Sequence, residues 1–333
     1  MTIELQGQPA PDGSRAAYFT PPPISHLSHV AYLVGDPIAH SSSPKLHDTI
    51  SRSTDVPYAQ ILAETTDLPT FVAYLRDHPS VPKLLGSGVT MPHKVSVLPY
   101  LDHLTPEAQS IGAVNTIFLR TSDAPDGRIE FWGTNTDTIG IRDAFISNLD
   151  DEVLEGCRGR PGLIVGGGGT CRAAVYALES FLGCSEIYII NRDTEEVQAV
   201  IQQQEGVGER IPIRHITSLD KVEDGSLEPP GLVISAIPDY PPSTPSESAV
   251  RKILEALLLK TLLEKRGAVL EMCYHPSPDT GITRLAHASG WKVIGGLGAM
   301  VAQGLEQARL WLGEKVDQVE GLRDKAREGV APR

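Results

Sequence analysis

Leu163-Ile164-Val165-Gly166-Gly167-Gly168-Gly169-Thr170-Cys171-Arg172 places a short apolar run ahead of a glycine run and a segment of helical character. The pattern Gly166-x-Gly168-x-x-Cys171 in that setting predicts a strand, a tight turn and a helix. Glycine lets the turn close and lets a pyrophosphate approach the backbone, and the amides at the helix N-terminus attract its charge. Gly166, Gly168, Gly169 and Thr170 are the candidate contacts. Cys171 stands where a third glycine or alanine is usual, and it is small enough for the turn.

Working outward, strand and helix patterns alternate on both sides of this unit. Downstream come Glu186–Ile190, Leu232–Ser235, Ala268–Met272 and Val293-Ile294 as strands, with helices over Thr170–Leu182, Thr194–Gln204 and Val250–Lys265. That series reads as a doubly wound, Rossmann-type sheet. Upstream, Val30–Val34, Tyr58–Leu62 and Leu84–Val89 read as strands, and Pro44–Ser53 and Leu68–Leu75 as helices, which predicts a mainly parallel, covered sheet. Asn115–Leu119 and Ile129–Trp132 flank the turn formers Asp123-Ala124-Pro125-Asp126-Gly127 and read as a hairpin, and Ile139–Leu149 as the helix leading onward. Asp220–Pro230 and Pro238–Ser248 are rich in Pro, Ser and acids and read as surface loops, and Leu297–Leu312 as a closing amphipathic helix. The fold class is therefore α/β with two domains, preceded by a Pro/Gly/Ser-rich arm over 1–27.

The bulk numbers narrow the function. A chain of 333 residues suits two domains. Its 29 Lys and Arg against 42 Asp and Glu, with no basic block, argue against nucleic acid. An anionic ligand then needs locally placed donors, because the overall charge of −13 repels it. No apolar run has the length of a membrane span, and no secretory leader is evident, so the chain reads as soluble and cytoplasmic. Cys157, Cys171, Cys184 and Cys273 lack disulfide or zinc spacing, and only Cys171, in the glycine loop, invites a test of reactivity. His40, His47 and His93 have no metal-ligand spacing either, so no metal is expected.

Several short motifs add chemistry in a fixed order. Ser41-x-Ser43-Pro44 comes first, then Val89-Thr90-Met91-Pro92-His93-Lys94, Gly112-Ala113-Val114-Asn115-Thr116 and Asn135-Thr136-Asp137 ahead of the glycine loop. Glu271-Met272-Cys273-Tyr274-His275-Pro276 and Gly298-Ala299-Met300-Val301-Ala302-Gln303 follow it. Together, over roughly Val30 to Gly313, they resemble the shikimate/quinate dehydrogenase family, with its S-x-S-P, N-V-T-x-P-x-K, G-A-V-N-T, N-T-D and D-x-x-Y-x-P segments.

The resemblance implies a substrate domain over 28–138 and 297–325, discontinuous because the last helix packs back on it, and a dinucleotide domain over 139–296. It implies hydride transfer between a nicotinamide cofactor and the ring alcohol of shikimate or quinate, a cyclic hydroxy acid, by a monomer or homodimer. Removing a hydroxyl proton as hydride leaves requires a base, which the resemblance makes Lys94 with Asp137 as partner. Ser41, Ser43, Thr90, Asn115, Tyr274 and Gln303 become the substrate lining. Two serine hydroxyls can hold a carboxylate without adding charge, although a serine cluster before proline is otherwise a routine helix cap.

Asn191, Arg192, Asp193 and Met272 join the glycines on the cofactor side. NADP-using members end the second strand with N-R-T/S and a nearby base, whereas here it ends Asn191-Arg192-Asp193-Thr194-Glu195-Glu196. A carboxylate at Asp193 repels a 2′-phosphate but accepts from a free ribose diol, so NAD is expected, with NADP still open through Arg192. Asp193 also reads as a helix cap. Gly88, Thr138, Glu271 and Ile237 depart from the family pattern, and they motivate a rival reading as a ligand-sensing protein without turnover. Retention of Lys94 and Asp137 argues against that rival. A dehydrogenase of a modified shikimate analogue is the remaining alternative.

Overall fold

The computed structural model describes residues 24, 27–78, 83–125, 127–206, 208, 210–261, 266–275 and 277–331. The expected arm over 1–27 lies outside these apart from Ile24 and Leu27. Contacts divide the chain into two units, one running to Thr136 and resuming at Gln303, the other covering Asp137–Ala302.

The first unit is built on strands β1 (His29–Gly35), β2 (Tyr58–Glu64), β3 (Lys83–Val89), β4 (His103–Leu104), β5 (Thr116–Thr121) and β6 (Ile129–Thr134), in the order β2-β1-β3-β5-β6-β4. β1 pairs in parallel with β2 and β3, as alternation with helices requires. The sheet is nevertheless mixed: β5 runs antiparallel to both β3 and β6. The helix Pro106–Ile111 ends at Gly112, whose φ of 65° reverses the chain into β5, and the short hairpin that follows can pair only antiparallel. Asp126 of that hairpin turn lies outside the described residues.

The helix Gly296–Leu312 covers this sheet with its C-terminal half. Trp311 Nε1 donates to Ile117 O at 3.0 Å. Gly86, with φ 149°, makes room for that ring, since a Cβ there would lie 2.6 Å from Trp311 Nε1 and 2.1 Å from Ile117 O. The helix Leu322–Val330, which the sequence patterns did not indicate, packs on the helix Ser43–Ser53, with Gly329 against Thr49.

The second unit holds β7 (Gly162–Val165), β8 (Ile187–Ile190), β9 (Ile213–His215), β10 (Leu232–Ser235), β11 (Ala268–Glu271) and β12 (Lys292–Gly295). All are parallel, in the order β9-β8-β7-β10-β11-β12. Every residue of β7, β8, β10 and β11 is buried, as expected for strands covered on both faces. One face meets the helix Pro245–Lys260 through Leu163, Val165, Tyr188, Val233, Leu254 and Val269. The expected loops Asp220–Pro230 and Pro238–Ser248 are only partly loops. Asp220–Glu223 is a short helix, and the helix expected from Val250 starts at Pro245 because Thr244 and Glu247 form a capping box. It ends at Lys260, and residues 262–265 lie outside the described set. The helix Gly281–Ala288 was also not read from sequence.

Cys171 is fully buried, and burial pushes its thiol up to about 12, so the reactivity raised from sequence does not hold. Among the described residues no helix is long and apolar enough to cross a membrane.

His47 is fully buried in the first unit, with Nδ1 at 2.9 Å from Tyr58 Oη and Nε2 at 3.3 Å from Gln307 Oε1. Gln307 Oε1 can only accept, so Nε2 carries the proton and Nδ1 accepts from Tyr58, the neutral tautomer. Burial outweighs the Gln307 hydrogen bond and lowers the ring from 6.5 to about 4. The unfolded chain therefore binds the extra proton first as pH falls. Stability should be full above about 6.5 and decline down to about 4, by on the order of 3 kcal/mol from this group. Denaturant unfolding at stepped pH should show that decline, and His47→Gln should flatten it. An unchanged slope would remove His47 as its source.

Candidate active site

The first unit gathers its polar side chains at the ends of β1, β3 and β5. After β1, Ser41 Oγ accepts from Ser43 N at 3.2 Å, which leaves its own proton for another acceptor. Ser42 is the N-cap of the helix Ser43–Ser53 but makes no side-chain cap bond, so the serine cluster is only partly a cap. Ser43 is buried, and among the described residues its hydroxyl has no hydrogen-bond partner. The loop is set by Glu64, whose Oε1 accepts from Ile38 N at 2.7 Å and Ala39 N at 3.3 Å, and by Asp36 N donating to Met91 O at 3.0 Å.

After β3, Thr90 O accepts from His93 N at 2.8 Å and opens the short helix His93–Ser96 that carries Lys94, itself half-buried. His93 Nε2 reaches Thr65 O at 2.7 Å and fixes this turn from below, a supporting role. Lys94 O accepts from Val114 N at 2.7 Å, which ties the lysine's backbone to the entry of β5.

Asn115 is the centre of this arrangement. Its Oδ1 accepts from Thr136 N and Thr116 Oγ1, each at 2.8 Å. Its Nδ2 donates to Thr136 Oγ1 at 3.0 Å and to Gln303 Oε1 at 3.3 Å. Sequence positions 188 apart are thereby brought together. Gln307, one turn further on, was missed from sequence because it reads as one more helix residue; its Nε2 donates to Thr116 Oγ1 at 3.0 Å. Gln60, also missed, is 4% exposed, and neither amide atom has a partner among the described residues. It lies against Gly88, whose absent side chain leaves room for it.

The second unit presents a nucleotide-type loop where β7 and β10 diverge. In the unit's own numbering the strand order is 3-2-1-4-5-6, so connections leave in opposite directions from β7 and β10 and open a crevice beyond their carboxyl ends. Gly166 has φ 128°, and a Cβ there would sit 3.1 Å from Ala236 O at the end of β10. A Cβ on the exposed Gly168 would meet nothing within 4 Å, so a ligand can approach the backbone there. Gly168 caps the helix Gly169–Ser180, which includes Thr170, without any side-chain cap bond, and a helix N-terminus is a ready site for an anion. Arg172, another residue passed over in the sequence, is 8% exposed and pairs with no carboxylate among the described residues. A buried cation without a counter-charge is costly, which makes it a candidate for an anionic ligand. These features fit a dinucleotide pyrophosphate.

At the end of β8, Asn191 Nδ2 donates to Glu196 Oε2 at 2.8 Å and to Asp193 O at 3.0 Å. Asp193 Oδ1 caps the helix Thr194–Glu205, accepting from Glu195 N at 2.8 Å and Glu196 N at 3.3 Å, so the cap role read from sequence is real and leaves Oδ2 for another donor. Arg192 is exposed and forms an ion pair with Glu247. Beyond β11, Glu271 is buried, accepts from Cys273 N at 3.0 Å and Thr280 Oγ1 at 2.9 Å, and is followed by half-buried Met272 and Tyr274. By their contacts Asp137, which opens the helix Asp137–Ile146, and Tyr274 fall in the second unit, and the other expected substrate residues in the first.

Comparison with known proteins gives a consistent picture. Residues 33–117 match the family model described as shikimate dehydrogenase substrate binding domain. The chain is 43% identical over 309 residues to a quinate dehydrogenase of Emericella nidulans, covering 91% of this chain and 93% of that one. It is 35% identical over 282 residues to a pentafunctional AROM polypeptide of Candida glabrata, covering 84% of this chain but only 17% of that one. A solved structure of shikimate 5-dehydrogenase from Thermus thermophilus in complex with NADP(H) and shikimate superimposes with a TM-score of 0.63 at 26% identity, covering 90% of this chain and 99% of that one.

The hydrogen-bond pattern separates two side chains of the first unit. Asn115→Ala strands Thr136 N, Thr116 Oγ1 and Gln303, and should cost about 2–4 kcal/mol of stability. Ser43→Ala removes a hydroxyl that holds nothing and should stay within about 0.5 kcal/mol. Thermal melts compare the two directly; equal losses would contradict the assignment of Asn115 as the centre.

Proposed function

The chain belongs to the shikimate/quinate dehydrogenase family of nicotinamide-dependent oxidoreductases, and from that premise we propose that it oxidises quinate to 3-dehydroquinate with NAD as the preferred cofactor. The quinate reading is supported by similarity to a quinate dehydrogenase over nearly the whole of both chains. The NAD reading is carried by Asp193, which caps the helix after β8 through Oδ1 and leaves Oδ2 uncommitted. There it can accept from a ribose diol but opposes a 2′-phosphate of nearly two negative charges. The neighbour bound to NADP(H) describes that protein's cofactor.

When bound, the nicotinamide ring supplies the hydride acceptor, and the chain supplies position and proton transfer. The first-turn amides after Gly168, with Arg172, would hold the pyrophosphate. Ser41 and Ser43 donate to the substrate carboxylate through neutral hydroxyls, which keeps the site from depending on a charge the acidic chain would offset. Thr90, Asn115 and Gln303 orient the ring hydroxyls, and the existing Asn115–Gln303 contact sets both amides before substrate arrives. Lys94 Nζ takes the hydroxyl proton as the C–H hydride departs and returns it in the reverse direction, and the Asp137 carboxylate is the second group assigned to the reaction.

Rates followed at 340 nm with quinate and shikimate, each against NAD and NADP, test the reading. The highest kcat/KM is expected for quinate with NAD, and a clear preference for shikimate with NADP would overturn it. Lys94→Ala should lower kcat by about 10²–10⁴-fold with a smaller change in KM, and near-normal turnover would remove Lys94 from the reaction. Asp193→Ser keeps a helix cap while deleting the charge, and should move the NADP/NAD ratio of kcat/KM up by about tenfold. Glu196 is a poorer choice for that test, because its Oε2 holds Asn191 and its side chain abuts Gly167.

A further inference from the structure

Arg192 is the residue through which NADP could still bind, and the structure shows it engaged elsewhere. Its Nη1 donates to Oε1 of Glu247, which lies 55 positions downstream in the first turn of the helix Pro245–Lys260. We propose that Glu247 sets the cofactor preference of this chain by holding the Arg192 guanidinium in an ion pair, so that it is not offered to a ribose 2′-phosphate. This rests on the NAD reading above.

An exposed ion pair is ordinarily weak, because two long side chains must be fixed to form it. Here one partner is fixed already. Glu247 Oε2 accepts from Ser243 N at 2.7 Å, Ser243 Oγ at 2.9 Å and Thr244 N at 3.1 Å, and Glu247 N donates to Thr244 Oγ1 at 3.2 Å. The Thr244 bonds are the capping box of the helix Pro245–Lys260 and the Ser243 bonds reinforce it, so the carboxylate stands in place whether or not Arg192 is bound to it. Those donors, the Ser243 amide first, together with Arg192 hold the Glu247 carboxyl down at about 2, so it is ionised throughout the working range.

A 2′-phosphate arriving at the end of β8 would have to draw Arg192 away from Glu247. It would then face both the released carboxylate and Asp193. A free diol meets neither cost. Glu247 thus acts through Arg192 as a positioning residue. Its place depends on the sheet order, in which β10 and β8 flank β7 and bring their following loops to the same edge.

The test is a double-mutant cycle read by calorimetric titration of NAD, NADP and 2′,5′-ADP into the full chain. Glu247→Gln keeps an amide oxygen for Ser243 and Thr244, and so preserves the cap. It should tighten NADP and 2′,5′-ADP about tenfold relative to NAD, and the gain should vanish when Arg192→Ala is added. In the otherwise native protein Arg192→Ala should change NADP binding by less than about threefold, since the guanidinium is already taken. That arm stands even if the Glu247 variant fails to fold. A Glu247→Gln protein with an unchanged NADP/NAD ratio, or one whose gain survives loss of Arg192, overturns the inference. So does a large loss of NADP binding on Arg192→Ala alone. A native preference for NADP would sink the NAD reading separately, and the cycle would still decide whether Glu247 restrains Arg192.

Discussion

The Gln307 side chain joins the two stretches from which the first unit is made. Its Nε2 donates to Thr116 Oγ1 and its Oε1 accepts from His47, so one amide spans β5, the helix Ser43–Ser53 and the helix Gly296–Leu312. Thr116 passes the link to Asn115, and Asn115 passes it to Thr136 and Gln303. A buried polar network of this kind is costly when one member is unpaired and directional when all are satisfied. It forces the helix Gly296–Leu312 into one register, and that register brings Gln303 beside Asn115 instead of a turn away. Trp311 and Gly86 secure the same helix further along, where only glycine leaves space for the indole.

The cofactor side follows from a different constraint. Six parallel strands whose order reverses between β7 and β10 must leave a crevice at that edge, whatever the loops contain. The glycines then make the crevice usable, Gly166 by accepting a backbone angle that keeps it clear of Ala236 O and Gly168 by leaving open space. Asp193 and Glu247 are each held by backbone amides at a helix start, and Glu247 also pairs with Arg192. Helix capping by itself accounts for the positions of both carboxylates.

Two buried titratable groups, His47 and Glu271, serve the fold. His47 is a structural histidine kept neutral by burial, and its pH sensitivity belongs to folding. Burial raises the Glu271 carboxyl against the opposing bonds from Cys273 and Thr280, at the point where β11 turns toward Met272 and Tyr274. The departure from aspartate at that position is thus accommodated by a local hydroxyl and amide.

The sequence by itself determined the local elements: the strand, glycine turn and helix at Leu163–Arg172, the alternation that yields the parallel second sheet, and the motifs carrying Ser43, Lys94, Asn115 and Asp137. Periodicity and turn chemistry are properties of neighbours in the chain, so they can be read there. The hairpin of β5 and β6 was legible, but short helices such as Pro106–Ile111 and the antiparallel pairing of β5 with β3 were not, because they depend on how a reversed chain finds a free strand edge. The start of the helix Pro245–Lys260 was obscured by a Pro- and Ser-rich composition that also serves as a cap. Only the tertiary structure decided that Gln307 would hold His47 and Thr116, that Gln60 would lie against Gly88, and that Arg192 would be taken by Glu247. Each of those pairings joins residues far apart in sequence through side-chain geometry, and no local pattern encodes which distant partner a polar group will meet.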